Sequence, residues 1–103
     1  MKFGIFYEHS VSRPWTEISE WRVYHQALEQ ISLADELGFD QVWEVEHHFL
    51  EEYSHSSAPE VFLAAAAAQT ENIHICQGIA LCLPGVNHPA RIAERAAVLD
   101  IIS

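Results

Sequence analysis

The spacing of apolar positions along the chain changes repeatedly between that of a strand and that of a helix. Short apolar runs predict strands over Lys2–Tyr7, Gln41–Val45 and Ile73–Leu83. Between the first two runs, apolar residues recur at steps of three and four from Glu17 to Leu37, which is the pattern of one helix face. Gly38 follows directly and is typical of the residue just beyond a helix end. The pattern therefore predicts a long helix between the first two strands.

Two further helices carry start signals. Ser57 with Glu60 three residues later fits a capping box, and Pro59 stands in the first turn. The alanine-rich run that follows is suited to close packing of a helix against a sheet. Asn87, ahead of Pro89, predicts the cap of the third helix.

The resulting β-α-β-α-β-α order predicts an α/β fold with parallel strands and right-handed crossovers. The third strand is apolar almost throughout, which indicates a sheet covered on both faces. Two architectures fit: a small open three-layer sheet, or the first three units of a (β/α)8 barrel of about 250 residues. In both, the loops that follow the strands carry the functional site. Here these loops are 9–15, 46–57 and 84–88.

Composition narrows the class of protein. The chain has 103 residues, enough for one small domain, and half of its residues are hydrophobic. Fifteen acidic residues against five basic ones give a net charge of −10, and the bases form no cluster. A nucleic-acid partner is therefore not expected. No window approaches the ~18 apolar residues of a membrane span, and the first residues do not form a signal peptide.

The two cysteines, Cys76 and Cys82, both lie on the predicted third strand. Six residues of strand separate their Cα atoms by about 20 Å. A disulfide requires a separation of at most about 7 Å. We therefore expect two buried free thiols in a reducing cytoplasm.

Histidine is concentrated at the predicted strand ends. Five of the seven histidines lie in or beside these loops, namely His9, His47, His48, His55 and His88. The run from Glu46 to His48 offers zinc ligands, although adjacent residues on extended backbone point in opposite directions. A histidine at a strand end also suits acid–base chemistry, and a polar loop rim is a third interpretation. The residues alone leave these three interpretations open.

Other candidate chemistry has less support. Ser57 is not surrounded by a nucleophile elbow, and its capping role already explains it. Neither a dinucleotide-binding glycine motif nor a P-loop is present. The run Glu51–Tyr53 is expected to be solvated. The small residues of 78–80 suit either core packing or a flat ligand lying against the backbone.

Four segments together resemble the bacterial luciferase-like family of flavin-dependent monooxygenases. They read MKFGIFYE at 1–8, ADELGFDQVWEVEHHF at 34–49, SSAPEVFLAAAAAQTENI at 56–73 and LCLPGVNHPARIAERAAVLD at 81–100. The resemblance implies a (β/α)8 TIM barrel with its helices outside. It also implies reduced FMN, or in one branch a deazaflavin, and O2 that oxygenates a small organic substrate. Electrons would come from a flavin reductase or NAD(P)H, and a homo-oligomer is expected.

The same resemblance assigns residues to the flavin site. It implies that His47 is the catalytic histidine beside the flavin, where it assists proton handling. Glu46 and His48 flank it and would orient the loop around the cofactor. The third-strand residues implied to lie against the isoalloxazine ring are Gly78, Ile79 and Ala80, and members of the family sometimes have a non-proline cis peptide where Ile79 meets Ala80.

A pocket that excludes water is expected next to the flavin, since the chemistry requires a dry site. The aromatic residues Phe6, Trp43 and Phe49 are suited to line it. His9, in the loop after the first strand, is a further candidate for contact with the substrate.

The family pattern continues beyond Ser103 with a turn into a fourth strand. We therefore expect residues 1–103 to be the N-terminal part of the barrel domain, truncated before strand 4, with five βα units absent. One hypothesis is that the chain is part of a flavin monooxygenase. The alternative is a non-catalytic structural or interaction module without flavin binding of its own, as the scarcity of basic residues would fit. A metal-dependent hydrolase on a similar barrel is a third possibility.

Overall fold

The computed structural model describes all residues from 1 to 103, and its elements follow the predicted order. The strands are β1 (Gly4–Tyr7), β2 (Gln41–Glu44) and β3 (His74–Gln77), and the helices are α1 (Ser19–Glu36), α2 (Pro59–Ala67) and α3 (Pro89–Ile102). The sheet has the order β1-β2-β3, and both strand pairs are parallel, which confirms the predicted architecture. None of the helices combines the length and apolarity that crossing a membrane requires.

The two faces of the sheet have different surroundings. Val42 is fully buried in the core, and its register partners Ile5 and Ile75 pack against the same core on the helix side. Successive side chains of a strand point to opposite faces, so Phe6 and Trp43 lie on the other face. We call that face, which lines the interior in a barrel, the inner face. Phe6 is 57% exposed there, so the inner face is open to solvent in this chain.

Helix α1 buries fewer of its apolar residues against the core than its sequence predicts. Ala27, Ile31 and Ala34 are buried in the core. Ile18 and Trp21 belong to the same series of apolar residues at steps of three and four, but both are exposed. Ile18 precedes the helix, and Trp21 stacks on a neighbouring ring of its own helix instead of on the sheet. The helix ends as predicted, since Gly38 follows it with a φ of +80°.

The predicted capping box of α2 is wrong. The N-cap position is Ala58, which makes no side-chain capping bond, and Ser57 is exposed one residue earlier. Glu60 does not reach back to the helix start, because its Oε1 lies 3.2 Å from Nε of Arg95 on α3. An ion pair between two helices has thus replaced the local contact that the sequence suggested.

The predicted cap of α3 is also displaced by one residue. His88 is the N-cap, and its Nδ1 accepts a hydrogen bond from the backbone N–H of Ala90 over 3.2 Å. Asn87 is not available for this role, because its Oδ1 accepts a hydrogen bond of 2.5 Å from Arg95. Both capping errors therefore involve the same arginine, whose position depends on the packing of α3 beside α2.

Strand β3 ends six residues earlier than predicted, at Gln77 instead of Leu83. The N–H groups of Gly78 and Ile79 both point to the carbonyl oxygen of Glu44, at 2.7 and 3.4 Å, so the ladder cannot continue. A Cβ at Gly78 would lie 3.3 Å from that oxygen and 3.5 Å from Cε2 of Phe6. A glycine inside an apolar run predicts a bulge or a close backbone approach, and at Gly78 the structure shows the close approach. Residues 78–88 form a loop, which we call the β3 loop.

Both cysteines are free, which confirms the predicted absence of a disulfide. Their predicted burial is wrong. Cys76 is only partly buried, and that burial raises the pKa of its thiol. Cys82 is exposed, because it lies in the β3 loop and not on a strand.

Asp35, at the end of α1, fixes the turn that leads into β3. Its carboxylate accepts hydrogen bonds from the backbone N–H groups of Glu71, Asn72 and Ile73, over 2.7 to 3.0 Å. The bond from Glu71 lowers the pKa of Asp35 most strongly, burial opposes it, and the bonds from the other two N–H groups lower it further. The structure therefore favours the charged carboxylate.

We expect Asp35→Asn to lower the free energy of unfolding by about 1 kcal/mol at neutral pH, since the amide offers one acceptor oxygen instead of two. Because the folded-state pKa is depressed, this stabilisation is complete above the unfolded pKa of about 4 and disappears as the pH falls through the folded value. Urea denaturation of both proteins at neutral and acidic pH measures it. Asp100→Asn on α3 is the control, and an equal loss in both variants would contradict the role of Asp35.

Candidate functional site

The loops that follow β1 and β2 are joined by their backbones at the carboxyl end of the sheet. We call residues 8–18 the β1 loop and residues 45–58 the β2 loop. The N–H of Val11 donates to the carbonyl oxygen of Glu52 over 3.0 Å, and the N–H of His55 donates to that of His9 over 3.1 Å. The two loops therefore form one layer above the strand ends.

Glu46 connects this layer to the β3 loop. Its carboxylate is buried, with 6% of the residue exposed. Oε1 lies 3.0 Å from Nε2 of His48, and Oε2 accepts a 2.6 Å hydrogen bond from the backbone N–H of Leu81. The two residues predicted to orient the loop are thus in contact with each other and with the chain segment predicted to face the flavin.

The backbone of the segment Gly78–Ala80 is fixed by hydrogen bonds, while two of its three residues are exposed to solvent. Glu44 binds its first two N–H groups through one carbonyl oxygen, and Glu46 binds the N–H of the next residue, Leu81. Gly78 and Ala80 are exposed, and Ile79 is half-buried. The peptide between Ile79 and Ala80 is trans, since the one cis peptide of the structure joins Arg13 to Pro14. The result is a short stretch of pinned backbone next to the ring of Phe6, where the exposed residues Gly78 and Ala80 add little side-chain bulk.

His47 lies in a different part of the layer. Its backbone N–H donates to the carbonyl oxygen of Ser56 over 2.8 Å, and its half-buried ring makes no hydrogen bond. Its ring centroid is 5.7 Å from that of Tyr53. The ring lines a cleft of about 460 Å³ together with Trp15, Phe49 and His55. Phe49 has a φ of 61° and a fully exposed ring.

His9, predicted to contact the substrate, is placed elsewhere. It is only 3% exposed and points to the helix side of the sheet. Its ring centroid lies 4.2 Å from that of Tyr24 and 4.5 Å from that of Phe62. In this chain, neighbouring rings on the helix side of the sheet therefore enclose His9.

His9 belongs to a buried polar cluster that sequence reasoning missed. Its Nε2 lies 3.0 Å from Oε1 of Glu44, although out of line for a hydrogen bond, and both side chains are fully enclosed. The hydroxyl of Ser56 contacts the same carboxylate oxygen and lies 2.6 Å from the carbonyl oxygen of Val45. We call His9, Glu44 and Ser56 the buried cluster. The alternation of β2 gave one signal: Glu44 is two residues from Val42 and so had to face the helices.

The structure thus divides the predicted site residues into three places. It brings Glu46 and His48 to the β3 loop, where Phe6 contacts the position of Gly78. It places His47 and Phe49 in the cleft. It places His9 in the buried cluster. No group of three or more histidine, cysteine, aspartate or glutamate side chains is arranged to hold a metal ion.

Basic residues are scarce around the inner face. Arg13 of the β1 loop pairs with Glu51 and Glu52 of the β2 loop. The two arginines of α3 pair with acidic residues of α2 and α3. The remaining bases, Lys2 and Arg22, are exposed before β1 and on α1. None of the five is thus placed on the face that carries the small residues of the β3 loop.

The comparison with solved structures identifies the class of fold. The crystal structure of the monooxygenase RslO1 from Streptomyces bottropensis matches 100% of this chain with a TM-score of 0.84 and 42% identity, over 30% of its own length. The oxygenating constituent of 3,6-diketocamphane monooxygenase from Pseudomonas putida, solved in complex with FMN, matches 99% of the chain with a TM-score of 0.82 and 26% identity, over 26% of its length. These neighbours confirm the predicted TIM-barrel fold, of which this chain covers a part.

The sequence comparisons identify the family. A model described as luciferase-like monooxygenase matches residues 1–103, and the chain belongs to that family. It is 39% identical over 79 residues to limonene 1,2-monooxygenase from Rhodococcus erythropolis, an alignment that covers 77% of this chain and 20% of that protein. The chain thus spans about a fifth of the length of this curated relative.

Proposed function

We propose that residues 1–103 form the first three βα units of a flavin-dependent monooxygenase that oxidises a small organic substrate with reduced FMN and O2. The observation that carries this proposal is the geometry of the β3 loop. Gly78 and Ala80 are exposed on backbone that Glu44 and Glu46 hold in place. Such a surface accepts a flat ring without a conformational change.

The residues present fit the ring of a flavin. A Cβ at Gly78 would come within 3.3 Å of the carbonyl oxygen of Glu44 on β2, which is a tight contact, and Ala80 adds only a methyl group. Bound reduced flavin supplies two electrons to O2, from which one oxygen atom enters the substrate and the other leaves as water. A deazaflavin has the same flat shape and would fit the same surface.

The chain's own residues supply orientation and proton handling. Glu46 fixes the imidazole of His48 and the backbone of the β3 loop at the same time. The ring of His47 makes no hydrogen bond, so it is free to hold or release a proton at a reacting group. Phe6 and Phe49 offer exposed apolar surface to the substrate.

The electron source in this proposal is a separate flavin reductase or NAD(P)H. Support comes from the description of the 3,6-diketocamphane enzyme as an oxygenating constituent, which implies a second constituent in that system. The same division of labour would suit this protein, because the β3 loop is exposed and a reduced flavin could reach it from solvent.

A second candidate function rests on the positions of the basic residues. With no arginine or lysine on the inner face, these residues offer the flavin phosphate no cation. The chain by itself would then be a non-catalytic structural or interaction module. The two candidates differ in whether the 103 residues bind a flavin ring at all.

Anaerobic titration of the chain with reduced FMN and with reduced riboflavin separates these candidates. Since the site contacts the ring and not the phosphate, we expect the two dissociation constants to agree within about twofold, less than 1 kcal/mol. Ala80→Leu adds a side chain on the ring surface and should weaken both by about tenfold, or about 1.4 kcal/mol. Ala97→Leu, at an exposed position of α3, is the matched control.

The possible results lead to different conclusions. If the wild type binds both flavins with equal affinity and Ala80→Leu binds both more weakly, these residues contain a site for the flavin ring. FMN binding that is tenfold or more tighter than riboflavin binding would show a phosphate site and contradict the assignment. Failure of both flavins to bind favours the non-catalytic module.

A further inference from the structure

His55 of the β2 loop is the histidine whose ring is most constrained by acceptors. Its Nδ1 lies 2.5 Å from Oε1 of Glu20 on α1, and its Nε2 contacts the backbone carbonyl oxygen of Glu51. A carboxylate and a carbonyl oxygen can only accept hydrogen bonds. A neutral imidazole has one N–H, so it can satisfy one of these acceptors but not both. The two acceptors therefore favour the doubly protonated imidazolium.

The groups around His55 favour the same charge state. Burial lowers the pKa of His55, but the hydrogen bonds to Glu20 and to the carbonyl of Glu51, with the charge of Glu20, outweigh it and leave the pKa raised above the ordinary 6.5. The rings of Trp15 and His55 are nearly perpendicular, with centroids 6.2 Å apart. Arg13 of the β1 loop is bound to the side chain of Glu51.

The backbone of His55 is held from two further directions. Its carbonyl oxygen accepts a 2.6 Å hydrogen bond from the hydroxyl of Tyr24 on α1, and its N–H donates to the carbonyl oxygen of His9. The next residue, Ser56, accepts the 2.8 Å hydrogen bond from the N–H of His47. The position of His55 is therefore transmitted to His47 through one peptide unit, and both rings line the same cleft.

We propose that His55 is a positioning residue which, as an imidazolium, fastens the β2 loop to α1 and so sets the position of His47. Loss of the proton leaves one ring nitrogen facing an acceptor, and that contact becomes repulsive. The β2 loop then loses either its contact with Glu20 on α1 or its internal contact between His55 and the carbonyl oxygen of Glu51. The importance of this for catalysis rests on the proposed role of His47, whereas the fastening itself does not.

The direction of the pH dependence follows from the raised pKa. A group whose pKa is raised on folding contributes its full stabilisation below the unfolded pKa of about 6.5 and loses it as the pH rises through the folded value. The β2 loop should accordingly be closed on the acid side of this range and open on the alkaline side. Glu20, Glu51, Arg13, His47 and Tyr24 are the charged or titratable groups that face His55 or its backbone.

Two measurements on the 103-residue chain test the proposal. Histidine Cε1–Hε1 resonances, followed by NMR, give the titration midpoint of each ring. Cleavage of the β2 loop by chymotrypsin, normalised to a free peptide of residues 45–58, gives its opening from about pH 6 to about pH 9. We expect cleavage to accelerate about tenfold across the His55 midpoint, as for the loss of a hydrogen bond to a charged group.

Variants separate positioning from a general loss of structure. Glu20→Gln should lower the His55 midpoint, whereas Glu29→Gln, at an exposed position of the same helix, should not. His55→Gln should give rapid cleavage at every pH. In the wild type the His47 resonance should show a second inflection at the His55 midpoint, and His55→Gln should abolish it.

The proposal fails if Glu20→Gln leaves the His55 midpoint unchanged, or if cleavage does not follow that midpoint. Should His55→Gln not fold, Glu20→Gln still decides the question. His47→Ala should retain the pH-dependent cleavage of the wild type. The experiments can therefore show that His55 fastens the loop even if His47 has no role in oxidation. They can equally show that His47 acts in oxidation even if His55 does not fasten the loop.

Discussion

Replacing His47 with alanine is expected to lower the proposed flavin-dependent oxidation of substrate by about 10²-fold or more. The ring is half-buried at a strand end and makes no hydrogen bond of its own, so both of its nitrogens are available to a reacting group. Its backbone N–H, bound to Ser56, remains in place in the variant. The affinity for reduced flavin should therefore change by less than about twofold. Oxygen uptake and product formation with a supplied reductase measure the rate.

His48→Ala is the informative comparison for this prediction. The imidazole of His48 is held by Glu46, which also binds the β3 loop, so its loss should weaken flavin binding more than it slows the oxidation of bound substrate. His25→Ala is the matched control, since that ring is exposed on α1. Unchanged oxidation in His47→Ala would refute the assigned role. If His48→Ala lowers the rate of oxidation more than His47→Ala does, the proton-handling role belongs to His48 instead of His47.

The order of the elements could be predicted because it depends on local spacing. Periods of two and of 3.6 residues identify strands and helices from neighbouring positions alone. The roles of Gly38 and Gly78 could also be predicted. Gly38 has a positive φ that disfavours a side chain, and a side chain at Gly78 would come close to the backbone of β2. The parallel arrangement then followed from the alternation of strands and helices.

The errors share a different origin, which is competition from residues far away in the sequence. Arg95 engages both Glu60 and Asn87, and so removes each from the capping role that its local sequence suggested. The apolar run to Leu83 reads as strand throughout, but the carbonyl oxygen of Glu44 takes two successive N–H groups and ends the ladder. Patterns within one segment contain no information about such partners.

The candidate site shows the same limit. The Glu-His-His motif was visible because its three residues are consecutive, and in the structure Glu46 contacts His48. His9 and Glu44 are 35 positions apart and meet only after β1 and β2 pair. Hydrophobic alternation places Glu44 on the buried side of β2, but it does not say which polar groups will meet it there.

The second large effect is expected from that buried pair. Glu44→Ala should lower the free energy of unfolding by about 3 kcal/mol or more, a large part of the 5–15 kcal/mol that is usual for a domain. The side chain is fully buried, so its removal leaves a cavity between β2 and the helices. It also leaves His9, enclosed by the rings of Tyr24 and Phe62, without the carboxylate beside its Nε2. Ser56 retains only the carbonyl oxygen of Val45.

Urea denaturation followed by circular dichroism measures this effect, and two variants identify its cause. Glu44→Gln keeps the volume and an acceptor oxygen, so it should cost less than Glu44→Ala, by about the value of the avoided cavity. Glu29→Ala, at an exposed position of α1, should stay within about 0.5 kcal/mol of the wild type. If Glu44→Ala is as stable as Glu29→Ala, the buried cluster does not hold the β1 and β2 loops together. If Glu44→Gln is as damaging as Glu44→Ala, the negative charge next to His9, and not the filled volume, stabilises this part of the fold.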